Sequence, residues 1–442
     1  MFRRIAIVLT LLSACQAQDN VSRMEQVVQS YVASKQFMGT VLIARDGEVL
    51  LSKGYGSANL EWDVPNSPNT KFRLGSLTKQ FTAACILLLE ERGKLKIDDP
   101  IKKYMPDAPA AWDKITFYHL LTHTSGIPSF TGFPDYASKE AFPATPEDLV
   151  ARFRDKPLEF QPGEKWNYSN SGYVLLGYLL QKITKQSYAQ FVQENIFDPL
   201  GMHDSGYDVN SAIIPHRAAG YTPSATGIRH AGYIDMSIPL SAGGLYSTTE
   251  DLLRWEQGLM GGKLLSPVSL QKMMKPFKED YGFGLSMTTV NGRKLISHDG
   301  GIEGFNTKLD YYPEDKLTVV VLANLNGGAP EAIATKLAAV AHKETVVLPS
   351  ERKEIAVPAA VLAKYVGTYE LMPGFSIAVT LENGQLMTQA TNQPKFPLFA
   401  ESDTKFFLKV VDAELEFFTD AKGEVTSLIL HQGARDMKGV KK

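Results

Sequence analysis

A helical stretch near Val21–Ser34 opens the hydrophobic pattern of this chain. Two apolar runs follow, Gly39–Arg45 and Glu48–Lys53, separated by Asp46-Gly47, a residue pair suited to a two-residue hairpin turn. An apolar helical run then spans Phe81 to Leu89 and stops near Gly93. Residues 100–275 read mostly as helix and loop, with an apolar helix from Tyr173 to Ile183. Strand-like runs resume at Tyr281–Val290, Lys294–His298, Asn306–Tyr312 and Leu317–Leu322, and a closing helix is expected from about Pro330 to His342. Strands at both ends with helices between predict an α+β body: one antiparallel sheet flanked by helices, with a largely helical insertion beside it.

Beyond that body the period changes. Residues 346–358 are charged and contain proline, and read as a linker. Ile377, Val379 and Leu381 then alternate up to Asn383-Gly384. Phe406 and Leu408 alternate next, then Leu415 and Phe417 before Asp420–Gly423, then Val425 to Leu430. Period-two runs separated by turn residues predict a small antiparallel, barrel-like β-domain over residues 359–442. No titratable constellation stands out in it.

The first residues address the compartment. Arg3-Arg4 precede an apolar run from Ile5 to Leu12, too short to span a bilayer and shaped like an export signal over residues 1–17. Leu12-Ser13-Ala14-Cys15 resembles a bacterial lipoprotein processing site, at which Cys15 becomes the lipid-bearing N-terminus. The competing reading is ordinary cleavage after Ala17. Either way the expected location is the periplasm, and with a lipid on Cys15, followed by Gln16, the outer membrane. Elsewhere no apolar run is long enough to hold the chain in a bilayer, so any membrane contact comes through that lipid. Cys85 is the one cysteine left in the body, which rules out an internal disulfide.

Composition adds an exclusion. With 44% hydrophobic and 21% charged residues the 442-residue chain is globular in character. A formal net charge of −2 and no basic run give no electrostatic footing for nucleic acid.

Three short strings carry the chemistry: Ser76-Leu77-Thr78-Lys79, Tyr168-Ser169-Asn170 and His298-Asp299-Gly300-Gly301. A serine hydroxyl needs a base to take its proton as it attacks. Positions i and i+3 share a helix face, so Lys79 is expected against Ser76. A desolvated lysine has a lowered pKa and serves as, or assists, that base. A tyrosine beside the ammonium is expected to be pushed toward the phenolate, giving a second proton carrier. Backbone N–H groups form the best oxyanion hole; Ser76 at a helix N-terminus supplies one and Gly301 on a strand edge the other. Each string alone has a plainer reading: Ser76 as a helix cap, Asn170 as an Asx turn, His298 as a packed strand end. His119 and His123, one helical turn apart, lack the glutamate of a metal-binding His-Glu-x-x-His string, and no metal or cofactor is expected.

In order, separation and context these strings resemble the serine β-lactamase and penicillin-binding-protein superfamily, specifically its class C-like branch. That branch includes D-alanyl-D-alanine carboxypeptidases, D-aminopeptidases and β-lactamase-like esterases. Its SxxK motif maps onto Ser76 and Lys79, its YxN motif onto Tyr168 and Asn170, and its Lys-Thr-Gly or His-x-Gly motif onto His298 and Gly300. His119–Gly126 and Ala242–Ser247 are similar to supporting strings of the family. The likeness covers roughly residues 22–345, and the residue 18–345 segment is read as the hydrolase domain. It implies Ser76 as the acylated nucleophile, Lys79 and Tyr168 as proton carriers, and Asn170 and His298 as substrate-positioning groups. Some relatives carry a lipocalin-like C-terminal module, which the tail resembles. The expected partner is a small peptide, ester or β-lactam, foremost a D-amino-acid peptide of cell-wall type. An esterase, a weak β-lactamase, or a non-catalytic penicillin-binding-like sensor are the alternatives. Two departures stand out: histidine replaces the lysine of typical β-lactamases, and Asp299 replaces a hydroxyl residue. Asp299 would either repel a substrate carboxylate or raise the pKa of His298. The aromatic, Pro- and Gly-containing segment 127–147 is expected to wall the cleft.

Overall fold

The computed structural model describes residues 19–224, 226–391, 393–409, 412–432 and 435–442; the leader with Cys15 lies outside them. Two compact units divide the chain.

The larger unit is built on a six-stranded antiparallel sheet. Strands β1 (Gly39–Arg45) and β2 (Glu48–Tyr55) form the expected hairpin, with Asp46 and Gly47 both at positive φ as a two-residue turn requires. Later strands are β3 (Ser286–Val290), β4 (Arg293–Ile302), β5 (Phe305–Tyr312) and β6 (Leu317–Ala323), in the order β3-β4-β5-β6-β1-β2. The centre is β6 beside β1. All of β6 is buried, and its Leu-Thr-Val-Val-Val-Leu-Ala sequence has no alternation because both its faces are covered.

Three helices frame the insertion: α1 (Thr78–Glu91), α2 (Asn170–Thr184) and α3 (Thr249–Met260). Helix α3 lies against β1 and β6, and α1 touches α2 and the short helix Leu240–Gly243. Helix α1 has no solvent face over its first three turns, since Thr78 through Leu89 are all buried. Two of its polar side chains are bonded internally. Thr82 Oγ1 donates to the Ser241 carbonyl at 2.7 Å, and Gln80 Oε1 accepts from Trp255 Nε1 at 2.6 Å.

One difference from the sequence expectation decides where the chemistry sits. Strand β4 does not end at His298 but continues to Ile302. Strand β3 pairs it only from Arg293 to Ser297, whereas β5 pairs it through Ile302. From His298 onward β4 thus has one strand neighbour, and the Gly75–Leu77 turn ahead of α1 takes the other side. The approach is close. A Cβ on Gly300 would stand 2.0 Å from the Leu74 carbonyl oxygen and 2.4 Å from Thr307 Oγ1. Gly75, at φ +54°, would bring a Cβ to 2.9 Å from the Gly301 nitrogen.

The second unit joins helix 19–33, most of the helix Ala329–Ala341 and the C-terminal β-domain. That domain is a nine-stranded antiparallel, barrel-like sheet running from Gly367 to Lys441. Tyr365 and Tyr369 pack with Phe406 and Phe417 in its core. Residues 348–352, expected as linker, are tied down within this unit: Leu348 is buried, Glu351 pairs with Arg23, and Arg352 with Glu414. Asp412 accepts from Tyr31 and Lys336.

The two glycines of β4 should respond differently to a methyl group. Gly300→Ala forces β4 off the Leu74–Gly75 turn and is expected to cost about 1–3 kcal/mol in urea unfolding, the range for overpacked sites. Gly301→Ala meets only the Asn306 amide, at 3.3 Å, and should unfold near the wild-type midpoint. Equal stability for both variants would mean that strand and turn are not held together in this way.

Candidate active site

The chain delivers Ser76 through a clamped entry. Phe72 and Arg73 pair with Ser247 and Tyr246, and the Leu74 N–H donates to the Leu245 carbonyl at 2.8 Å. Arg73 Nε bonds the buried Asp208 carboxylate at 2.7 Å, and Arg217 holds the same carboxylate. Thr307 Oγ1 donates to the Leu74 carbonyl at 2.8 Å. The chain then turns at Gly75, and Ser76 sits in a single 3-10 turn before α1. Its side chain makes no capping bond, so the plainer helix-cap role is not the one it plays.

Lys79 lies one turn on, fully buried. Its Nζ donates to Ser76 Oγ at 3.0 Å, Asn170 Oδ1 at 2.8 Å and the Ala242 carbonyl at 2.8 Å. Among the described residues no carboxylate touches the amine. Burial pushes its pKa down from the usual lysine value to about 7, with the charge of Asp299 opposing. The ammonium and the free amine are then both accessible near neutral pH.

The Tyr168 phenol faces Ser76, and its ring lies 4.8 Å from Lys79 Nζ. Burial raises the phenol's pKa, against the pull of the Ser76 hydroxyl, so the resting tyrosine is protonated rather than a phenolate. The sequence expectation of a phenolate presumed a permanently charged lysine beside it. Here the amine is the group that gives up its proton.

Asn170 opens α2. Its Oδ1 serves Lys79 and its Nδ2 donates to Thr131 Oγ1 at 3.0 Å, so the side chain is not spent on its own turn. Ser169 takes that task, capping α2 at Gly172.

His298 is buried behind these groups, its ring 6.5 Å from that of Tyr168. Nδ1 lies 2.6 Å from the Asp299 carbonyl and so carries the proton, and Nε2 accepts from the Tyr281 hydroxyl at 2.9 Å. Burial lowers its pKa to about 4 and outweighs the opposing charge of Asp299. His298 is neutral, and both ring nitrogens are engaged. Asp299 does act on His298 in the raising direction, one of the two effects expected of it, but burial outweighs it.

His119 and His123 have separate tasks. His119 Nδ1 caps its own helix at Thr116. His123 is a wedge at φ 57°, with its ring 4.2 Å from Tyr168 and 4.9 Å from Tyr281. Its Nδ1 accepts from the Ser169 N–H at 3.1 Å, fixing the Tyr168 loop.

Ser76, Asn170 and Gly301 line one cavity of about 190 Å³. Phe130, Thr131 and Tyr136 form another wall, which places the 127–147 segment at the cleft as expected. The structure thus brings Ser76, Lys79, Tyr168, Asn170 and Gly301 together. Gly300 provides the backbone seat, and His298 stands behind Tyr168. Two participants, Tyr281 and Gly284, escaped the sequence reading as site residues. Ala242 lay in a string already singled out, and its part is a backbone carbonyl, which leaves no side-chain signal. Tyr281 and Gly284 were legible only as a Tyr-Gly-Phe-Gly string, yet Gly284 packs on Lys79 so closely that a Cβ would stand 2.7 Å from its carbonyl oxygen. The arrangement holds a serine hydroxyl against a titratable amine and a phenol, beside a backbone edge open to a substrate oxygen.

A family model described as Beta-lactamase matches residues 24–343, and a domain of unknown function (DUF3471) matches residues 351–441. Penicillin-binding protein 4* of Bacillus subtilis (strain 168) is 31% identical over 454 residues, covering 96% of this chain and 99% of that protein. The octameric penicillin-binding protein homologue from Pyrococcus abyssi shares 27% identity at a TM-score of 0.69, covering 95% of this chain and 99% of its own. A D-amino acid amidase from Ochrobactrum anthropi, complexed with L-phenylalanine amide, shares 25% identity at a TM-score of 0.64, covering 73% of this chain and 96% of its own. The three strings converge inside the matched region, on the fold of these relatives, and the chain belongs to the Beta-lactamase family, within the serine β-lactamase and penicillin-binding-protein superfamily.

Proposed function

We propose that this protein is an envelope serine hydrolase that acts through an acyl-enzyme on a small amide or ester, foremost a D-amino-acid peptide of cell-wall type. The observation that carries the reading is the 3.0 Å contact from the buried Lys79 amine to Ser76 Oγ, with the Tyr168 ring 4.8 Å from the same amine. Neutral Lys79 accepts the serine proton as Oγ attacks the substrate carbonyl. The Ser76 and Gly301 N–H groups receive the developing oxyanion. Lys79 and Tyr168 pass the proton to the leaving amine or alkoxide, and water cleaves the acyl-serine by the same route in reverse. The family's D-amino acid amidase and penicillin-binding neighbours support an amide substrate. A neutral His298 gives a β-lactam carboxylate no cationic anchor, which ranks β-lactamase activity below peptidase and esterase activity. A non-catalytic sensor would have no use for an amine held near neutrality. The envelope placement rests on the export-type leader, with Cys15 as the lipid-bearing residue.

A fluorescent fluorophosphonate should label the wild-type protein, and Ser76→Ala should abolish labelling while leaving the circular dichroism spectrum unchanged. Lys79→Ala should lose nearly as much, because groups acting as one unit are not additive. Tyr168→Phe is expected to lower acylation roughly 10²–10⁴-fold. Persistent labelling of the Ser76→Ala protein would assign the nucleophile elsewhere. Turnover of a D-Ala-D-Ala peptide, p-nitrophenyl esters and nitrocefin then ranks the substrate classes.

The pH profile follows from Lys79. Its pKa in the fold is lowered to about 7, so the amine is free above that value and protonated below it. The acylation rate should therefore rise roughly tenfold per pH unit below the pKa and level off above it. A profile flat between about pH 5 and pH 9 would remove Lys79 from the role of base.

Cys15→Ser tests the address. The wild-type chain should fractionate with membranes and the variant should appear in the soluble periplasm or remain unprocessed, since acyl chains contribute about 0.8 kcal/mol per buried CH₂. A wild-type protein starting at Gln18 and free in the periplasm would remove the lipid and keep the export.

A further inference from the structure

Two features of His123 oppose stability, and both sit beside the catalytic groups. Its backbone is left-handed at φ 57°, a conformation that the Cβ of an L-residue disfavours. Its ring is buried, and among the described residues Nε2 has no hydrogen-bond partner. Burial, reinforced by the nearby Lys79, holds the pKa of the ring well below the usual histidine value, so the imidazole is neutral. Because Nδ1 accepts from the Ser169 N–H at 3.1 Å, the proton is on Nε2. A buried N–H without an acceptor is rare, and a plain hydrocarbon ring would avoid it. Strain and an orphaned donor at one position point to a functional constraint there.

The contacts of His123 show what that constraint is. Residues 155–169 form no helix or strand, so the loop that carries Tyr168 cannot place a side chain by itself. His123 grips it twice. The Asn167 N–H donates to the His123 carbonyl at 3.0 Å, and the Ser169 N–H donates to the His123 ring. Tyr168 is the residue between those two donors. The imidazole also backs the phenol, with ring centroids 4.2 Å apart and planes tilted by 34°. The same ring meets Tyr281 at 4.9 Å, Tyr173 at 5.0 Å and Trp166 at 6.0 Å, which leaves it little room to shift. Tyr281 carries the contact on to the third motif, since its hydroxyl donates to His298 Nε2 at 2.9 Å.

The segment that holds His123 is itself fixed. The Thr124 and Gly126 carbonyls accept from the Gly163 and Glu159 N–H groups at 2.8 Å, and Ser169 Oγ donates to the Ile127 carbonyl at 2.8 Å. A Cβ on Gly126 would stand 2.1 Å from the Phe160 carbonyl oxygen, so the two segments lie in close contact. His123 does not line the cavity at Ser76.

We propose that His123 is the positioning residue for Tyr168: it holds the phenol against Ser76 and Lys79 by bonding the chain on both sides of it and backing its ring. The inference rests on Tyr168 as a proton carrier and adds the residue that places it. Histidine meets three demands together, namely an acceptor for Ser169, a flat ring against the phenol and tolerance of left-handed backbone. Phenylalanine keeps the ring and loses the acceptor. Asparagine keeps an acceptor near the Nδ1 position and accepts the backbone, but gives up the ring.

Fluorophosphonate acylation followed to saturation separates the limiting rate from probe affinity. His123→Phe should lower the limiting rate roughly tenfold, the scale of one lost hydrogen bond, and leave the half-saturating probe concentration unchanged. His123→Asn should recover most of that loss. A merely structural role would give the same factor whatever stands at position 168. A positioning role does not: in a Tyr168→Phe background, His123→Phe should slow acylation no further. Additive losses in that background overturn the proposal, as does a His123→Phe protein that acylates at the wild-type rate. Nitrogen-15 NMR of the histidine-labelled protein supplies a test without acylation. The His123 signals, assigned by their absence from His123→Asn, should show a bare Nδ1 and a slowly exchanging proton on Nε2. The opposite tautomer, or a doubly protonated ring, overturns the proposal even where His123→Phe fails to fold. A wild-type rate for Tyr168→Phe alone would instead refute the proton-carrier reading of Tyr168, an outcome distinct from additivity, which refutes the role of His123.

Discussion

A primary amine fully buried among neutral hydrogen-bond partners is what the rest of the site is arranged around. Burying Lys79 disfavours its charged form by about 5 kcal/mol if its pKa falls from 10.5 to about 7. What keeps the amine in place is three neutral acceptors from three separate segments: a hydroxyl ahead of α1, an amide at the start of α2 and a carbonyl on the short helix Leu240–Gly243. Neutral dipoles hold an amine without fixing its charge. An aspartate in place of Asn170 would hold it harder and keep it protonated, and the serine would then lack a base.

Removing water from that point requires α1 to be enclosed on every side, which explains features that look unrelated along the chain. Helix α1 is apolar all round at Phe81 and Ala83–Leu89, because α2, the Leu240–Gly243 helix and the Tyr281–Gly284 loop together cover it. Gly284 allows that loop to touch the Lys79 backbone, and Gly300 allows β4 to touch the turn just before it. Strand β3 begins only at Ser286, opposite Ser297, which leaves the last half of β4 without a strand neighbour on one side, so the Gly75–Leu77 turn can occupy it. The sheet supplies a rigid edge and the insertion supplies a dry lysine.

These dependencies mark what the sequence could show. The hairpin around Asp46-Gly47, the core helices and the barrel-like tail were legible because their apolar spacing is local. Ser76 and Lys79 were legible because i,i+3 spacing fixes their contact before any tertiary structure is known. The extension of β4 to Ile302 was not, since Gly300 and Gly301 argue locally against a strand and only the partner β5 overrules them. Protonation was misread at Tyr168 for a related reason. Proximity to a lysine suggests a phenolate, while burial, which spacing does not reveal, pushes the lysine and the tyrosine toward their neutral forms.

The same burial reverses what the third motif offers a substrate. A lysine or a protonated histidine at position 298 would make the cavity attractive to carboxylates; a neutral His298, bonded to Tyr281 and to the Asp299 carbonyl, does not. With that charge gone, the sign of the field at Ser76 is set by residues outside the three motifs, and Glu303 is the one in the wall. The three motifs therefore bring Ser76, Lys79 and Tyr168 together without placing a cation in the cavity wall, whose one charged side chain among the described residues is Glu303, two residues past the last motif glycine.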